Sequence, residues 1–158
     1  MNILHPPFVH FVVALPVAAL FAQLTYLATG ERTYAKVALR ILAFTLLMGL
    51  FALYTGNVDA EKLQGTKELT GAAAQLLESH RSFGIWLLGI LGLTIVVKWI
   101  AAAKASHSWE KLALLGILVT IAATLYQGNR GGELVYRYGA GVNPKSLQQS
   151  VTPSQPKE

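Results

Sequence analysis

Three of the four histidines, His5, His10 and His80, are predicted to lie at the same end of a bundle of membrane helices. An imidazole at the membrane interface is costly unless it has a partner, and several at one depth are typical of a shared ligand. His10 and His80 belong to different predicted helices, so they could approach one iron from opposite faces, as bis-histidine haem b requires. We therefore expect haem b bound by His10 and His80. His5 is a further candidate, although a helix-cap position also explains it.

Other residues near these histidines could complete a haem pocket. Arg81 and Arg130 are expected at the same end, where a cation could pair with a haem propionate. Ala14 and Gly84 each follow a histidine by one helical turn, and a small residue there leaves room for a flat macrocycle. These residues also have simpler explanations, which are headgroup anchoring for the arginines and close helix packing for Ala14 and Gly84. The candidates for holding the second ring nitrogen of a histidine are Gln127, Asn57 and Glu133.

Two other functions fit the same residues. In the first, His5, His10 and His80 together bind copper or zinc, because three imidazoles suit either ion, and an assembly or transport role follows. In the second, the chain is an accessory subunit without a cofactor, and its small residues pack against larger partners. A haem with two axial histidines leaves no position open for catalysis, so the sequence favours an electron carrier or a subunit over a stand-alone enzyme.

The composition predicts an all-α, integral membrane four-helix bundle with both termini on the same side. Of the 158 residues, 53% are hydrophobic and only 13% are charged, against about 25% charged in a typical soluble protein. Four apolar stretches predict membrane spans at about Pro7–Thr29, Lys36–Gly56, His80–Ala103 and Trp109–Gly128. Lys98 is expected to snorkel towards the interface, and residues 128–132 predict a glycine-rich turn. The membrane domain covers residues 1–142, and a flexible polar tail is expected at 143–158.

The charges predict a topology rather than a nucleic-acid partner. The net charge is +5, but the basic residues are scattered along the chain. We call side A the membrane side that carries both termini and the 55–81 connection, and side B the side with the other two turns. The basic residues at side B are Arg32, Lys36, Arg40, Lys98, Lys104 and Lys111. The positive-inside rule makes side B cytoplasmic, so we expect a multi-pass protein of the bacterial inner membrane with periplasmic termini.

The chain contains no cysteine. Disulfides, thiolate metal ligands, covalently attached c-type haem and iron–sulfur clusters are therefore excluded. A haem in this chain would have to be held by side chains other than cysteine, which leaves the histidines as the natural ligands.

The opening sequence HPPFVHF, residues 5–11, resembles the His-Pro-x-x-Val-His-Phe pattern of a bacterial membrane family, domain of unknown function 2231. Thr55-Gly56, His80 and the segment 131–139 also resemble that family, and the similarity covers about residues 1–142. The family usually has proline after the first His-Phe, where this chain has Val12. The resemblance implies a four-helix integral membrane protein, sometimes joined to periplasmic cytochrome c modules and distantly similar to b-type cytochromes. The expected partners are therefore the lipid bilayer and a periplasmic cytochrome c or larger membrane redox complex.

Overall fold

The computed structural model describes residues 5–65 and 71–142, and within these ranges it contains four long helices and no strand. The helices are α1 (His5–Thr29), α2 (Arg32–Gly65), α3 (Ala72–Lys104) and α4 (His107–Tyr136). Each is long and apolar enough to cross a membrane. The predicted all-α membrane bundle is thereby confirmed, whereas the predicted tail at 143–158 lies outside the described residues.

Short turns make neighbouring helices antiparallel. Only Gly30 and Glu31 separate α1 from α2, and only Ala105 and Ser106 separate α3 from α4, which forces each pair into a hairpin. Gly30 has a φ of +73° and Ala105 a φ of +47°, and a left-handed residue at this position ends a helix. The start of α1 and the end of α4 lie at the same end of the bundle, side A, because His80 is close both to His5 and to Gly131.

The two hairpins pack side by side as a square. α1 lies against α2 and α4, and α3 lies against the same two helices, whereas the Cα atoms of the diagonal pairs α1–α3 and α2–α4 do not come within 8 Å of each other along the described residues. Small residues allow close approach: a β-carbon placed on Gly116 would lie 2.9 Å from Thr94 Oγ1, and one on Gly49 would lie 2.6 Å from Leu88 Cδ2. Buried clusters run down the axis, with central members Leu77 at side A, Leu87 below it and Leu91 at mid-depth.

Three of the helices extend at side A beyond the predicted spans. α2 has 34 residues and α3 has 33, against the roughly 20 that cross the hydrocarbon core. The prediction of a glycine-rich turn at 128–132 is wrong, because α4 continues through this segment to Tyr136. The glycine there serves close packing instead: a β-carbon on Gly131 would lie 3.1 Å from Cε1 of His80, so a larger residue would crowd the imidazole.

Towards side B, the prediction that Lys98 snorkels is also wrong. Its side chain is 0% exposed and forms an ion pair with Glu110, which is 1% exposed. The same ammonium group lies 5.2 Å from the centre of the Tyr26 ring. Lys98 turns inward because the α3–α4 hairpin places a carboxylate inside the bundle, and a buried pair avoids leaving either charge alone.

Candidate functional site

His5 forms one half of a histidine pair at side A. Its Nδ1–H donates a hydrogen bond to the carbonyl oxygen of Ala52, at 2.8 Å, and its backbone N–H donates to Asp59 Oδ2, at 3.3 Å. The second bond satisfies one of the backbone donors that the first turn of a helix leaves unpaired. Because a carbonyl oxygen only accepts, Nδ1 carries the hydrogen and the lone pair of the ring lies on Nε2.

His80, from α3, faces His5 across the bundle. The centres of the two rings are 6.3 Å apart and their planes are at 85°. Nδ1 of His80 is buried without a hydrogen-bond partner among the described residues. Gln127 of α4 donates from Nε2 to the backbone oxygen of His80, at 2.8 Å, while its Oε1 is buried and likewise unpartnered. Two buried polar atoms without partners are unusual in a folded protein, and here they belong to two side chains of one site.

A cavity of about 550 Å³ surrounds the pair, and all four helices line it. This volume falls within the roughly 300–1,000 Å³ of typical small-molecule sites. The wall is mostly apolar, and its glycines and alanines are Gly49, Ala52, Gly56, Ala60, Gly84, Gly128, Gly131, Gly132, Ala140 and Gly141. A β-carbon on Gly56 would lie 3.0 Å from Cε1 and Nδ1 of His5. Glycines thus create the space that the imidazole rings occupy.

His10 lies at the edge of this cavity and is exposed. Its Nδ1–H donates to the carbonyl oxygen of Pro6, at 2.7 Å. His10 comes five positions after His5, so the two side chains point about 140° apart around the helix. Ala14 is one turn after His10, is also exposed, and does not line the cavity. The structure therefore brings His5, rather than His10, to His80.

Of the other predicted site residues, some line the cavity and one does not. Gly84 lines the cavity, and a β-carbon on it would lie 3.3 Å from Gln127 Nε2. Arg81 also lines the cavity and donates from Nε to Asn57 Oδ1, at 3.1 Å. Arg130 is not in the wall: it donates to Ser79 Oγ and lies over the Tyr126 ring. Arg81 is thus the better placed of the two arginines to meet a ligand in the cavity.

The part of the chain that the structure describes does not assemble a three-ligand metal site around the histidine pair. Within the described ranges 5–65 and 71–142, no group of three or more His, Cys, Asp or Glu side chains is arranged to hold a metal ion. The set of His5, His10 and His80 predicted for copper or zinc is therefore not assembled. A metal bound between His5 and His80 would need its remaining ligands from a source other than these side chains.

Two features of the sequence could have indicated the His5–His80 pair. Positions 5 and 10 face different sides of α1, so only one of the two histidines can face His80. Gly56 and Gly131, which are adjacent to the two rings, both lie in segments that resemble the family. Glu133, another residue predicted to hold a ring nitrogen, instead pairs with Arg137, at 2.8 Å. Gln127 does bind His80, but at its backbone rather than its ring.

The fold and site define a class of protein: an integral membrane four-helix bundle with a largely apolar, histidine-bearing cavity at one end. The family model described as "Predicted membrane protein (DUF2231)" matches residues 2–144, and the chain belongs to this family. No curated protein and no solved structure matches the chain.

Proposed function

We propose that this chain is a membrane haem b protein that transfers electrons at side A, with the haem iron between His5 and His80. The observation that carries the proposal is the separation of the two rings. Two imidazoles that bind one metal from opposite sides at about 2.0–2.1 Å have ring centres about 6 Å apart. The ring centres of His5 and His80 are 6.3 Å apart, and the residues come from opposite corners of the bundle.

The donor set favours haem over free copper or zinc. A structural zinc site generally takes four protein ligands and a catalytic one takes three, whereas only two imidazoles meet here. Two axial histidines are the complete protein contribution to a bis-histidine haem, because the porphyrin supplies the four equatorial nitrogens. The number of donors therefore supports a haem over a free metal ion in this proposal.

The chain supplies orientation for both imidazoles. The hydrogen bond from His5 Nδ1 to the Ala52 carbonyl holds the ring in the tautomer that leaves Nε2 for a metal, which is the usual outer-shell arrangement for metal-binding histidine. For His80, the unpartnered Oε1 of Gln127 is an acceptor available to Nδ1–H from a side chain already anchored on the same residue. The unpartnered atoms His80 Nδ1 and Gln127 Oε1 are thus consistent with His5 and His80 as a pair of metal ligands.

The cavity wall suits a flat apolar group. It is mostly apolar, and Arg81 in the lining offers a cation to an acidic substituent. Bound haem b would supply one-electron transfer, and two axial histidines would leave no coordination position for a substrate. Burial and nearby cations are the means by which this chain would set the potential.

The distribution of basic residues between the two membrane sides suggests on which side this activity takes place. We propose that side A faces the periplasm of a bacterial inner membrane, because the basic residues concentrate in the short turns at side B. The electron partner would then be a periplasmic cytochrome c or a larger membrane redox complex. A cofactor-free accessory role predicts instead a colourless protein.

The test is the reduced-minus-oxidised absorption spectrum of the full chain, purified in mild detergent from a host supplied with haem, with metal analysis of the same sample. We expect a b-type spectrum and stoichiometric iron. His5→Ala and His80→Ala should each abolish both, whereas the matched controls His10→Ala and His107→Ala should retain them. Gel filtration and circular dichroism confirm that each variant is folded.

Three results would contradict the proposal. A colourless, iron-free wild-type protein from a haem-replete host would exclude haem binding. Copper or zinc in place of iron would favour the non-haem site. A spectrum that persists in folded His5→Ala and His80→Ala but disappears in His10→Ala would restore His10 as the ligand.

A further inference from the structure

A second set of polar side chains lies inside the bundle, close to side B and away from the histidine cavity. Lys98 of α3, Glu110 of α4 and Gln23 of α1 are each no more than 1% exposed. Glu110 is one helical turn from the start of α4, and its backbone N–H bonds to Ser106 O at the α3–α4 turn. Ionisable groups inside a membrane span are costly and commonly mark functional sites.

The contacts of Glu110 come from two other helices. Lys98 pairs with its Oε2, and Gln23 Nε2 donates to the same oxygen, at 2.9 Å, and to the backbone oxygen of Glu110, at 3.1 Å. The other amide atom of Gln23, Oε1, is buried without a hydrogen-bond partner among the described residues. The side-chain amide of Gln23 therefore contacts the Glu110 carboxylate through Nε2 and also carries an unpaired acceptor, Oε1.

This arrangement can satisfy Glu110 in both of its charge states. The ionised carboxylate accepts from the Gln23 amide, as observed. A protonated carboxyl needs an acceptor for its O–H, and rotation of the Gln23 amide by half a turn would present Oε1 in place of Nε2. Lys98 does not depend on Glu110 alone, because its ammonium group also lies 5.2 Å from the Tyr26 ring centre.

We propose that Glu110 is a proton-binding site reached from side B, with Gln23 as the hydrogen-bond partner of both charge states and Lys98 as the cation that accompanies the carboxylate. Protonation adds one proton to the carboxylate and gives a carboxylic acid, and no other bond forms or breaks. The site does not depend on any cofactor in the histidine cavity.

No other charged group of the described residues is recorded in contact with this cluster. On α2, the basic residues at this end, Arg32, Lys36 and Arg40, are exposed. On the α3–α4 hairpin, Lys104 lies over the Trp109 ring, and His107 and Lys111 are exposed. The contacts of the Glu110 carboxylate among the described residues therefore come from Lys98 and Gln23.

The test is infrared difference spectroscopy of the full chain in lipid vesicles, recorded between about pH 2 and pH 9, which brackets the ordinary range of carboxyl groups. We expect a carboxylic acid C=O band that grows on acidification, shifts in deuterated water and is absent from Glu110→Gln. The matched control is Glu78→Gln, because the side chain of Glu78 is 65% exposed and outside the cluster; this variant should keep the band.

Two further variants identify the partners. Lys98→Met removes the accompanying cation, so the pH at which the band appears should change. Gln23→Leu removes the hydrogen-bond partner, so the frequency of the band should change. The proposal is overturned if folded wild-type protein and Glu110→Gln give the same difference spectra throughout the pH range, since the pair would then be a permanent ionic clamp.

Discussion

His5 and His80 face each other with ring centres 6.3 Å apart, although α1 and α3 occupy opposite corners of the bundle. No Cα atom of one helix comes within 8 Å of a Cα atom of the other. Each ring is backed by a glycine from a third helix, Gly56 of α2 for His5 and Gly131 of α4 for His80. The geometry of the pair is therefore set by helices that carry neither histidine.

Gly131→Ala should weaken cofactor binding without unfolding the bundle. The new β-carbon would lie 3.1 Å from Cε1 of His80, so the ring must move by a few tenths of an ångström. We expect the haem affinity to fall by about tenfold or more, the usual effect of disturbing the surroundings of a metal ligand. Haem titration measures it, and Gly89→Ala is the control, because nothing lies within 4 Å of its added carbon. Equal affinities in the two variants would contradict the role assigned to Gly131.

Gly116→Ala should destabilise the α3–α4 hairpin by about 1–3 kcal/mol, the typical cost of overpacking. Its β-carbon would lie 2.9 Å from Oγ1 and 3.0 Å from Cγ2 of Thr94. The double variant Gly116→Ala/Thr94→Ala should recover part of this loss, because the crowded atoms are removed. Thermal unfolding in detergent measures both variants. Additive losses would show that the two positions do not pack against each other.

Lys98→Met should cost about 3–5 kcal/mol, because it leaves the Glu110 carboxylate buried without its cation. The double variant Lys98→Met/Glu110→Met should be more stable than Lys98→Met alone, since it removes both charges together. The measurement is again the unfolding free energy in detergent. A single variant as stable as wild type would mean that the ion pair is not buried in the folded protein.

Ala105→Gly should stabilise the protein by about 1 kcal/mol. Ala105 ends α3 with a φ of +47°, a left-handed conformation that costs a residue with a β-carbon roughly 1–2 kcal/mol more than glycine. The control is Ala103→Gly inside the same helix, which should destabilise by about 0.5–1 kcal/mol. If both substitutions destabilise equally, residue 105 does not have this conformation.

The orientation can be tested by thiol labelling, because the chain has no native cysteine. In intact cells with a permeabilised outer membrane, a membrane-impermeant maleimide should label Glu61→Cys at side A but not Glu31→Cys at side B. Disruption of the inner membrane should make both reactive. The reverse pattern would place side A in the cytoplasm and would contradict the positive-inside assignment.

The four helices could be predicted from the sequence because each apolar stretch is long enough to cross a bilayer, a property that needs no knowledge of packing. The continuation of α4 through Gly128–Gly132 could not. Glycine in a sequence indicates a turn as readily as a close helix contact, and only the position of His80 against Gly131 distinguishes the two.

Several residues that the sequence suggests for the site lie around one cavity. His80, Gly84 and Arg81 follow from residue type and position and line it, and their binding of a cofactor stays a prediction. The sequence favours His10 over His5 because a helix-cap position also explains His5, and that choice leaves out the direction around α1, which separates the two side chains by about 140°. The Lys98–Glu110 pair was missed, although both residues flank the same two-residue turn, and an antiparallel hairpin returns the chain to similar depths.

The diagonal arrangement of α1 and α3 has a mechanical consequence. Along the described residues the backbones of these two helices do not approach each other, and side chains such as His5 and His80 span the distance between them. A group coordinated by both His5 and His80 would act as a cross-brace over this gap. Occupied protein should therefore resist heat and protease better than empty protein, since a ligand bound only to the native form stabilises it in proportion to its binding free energy.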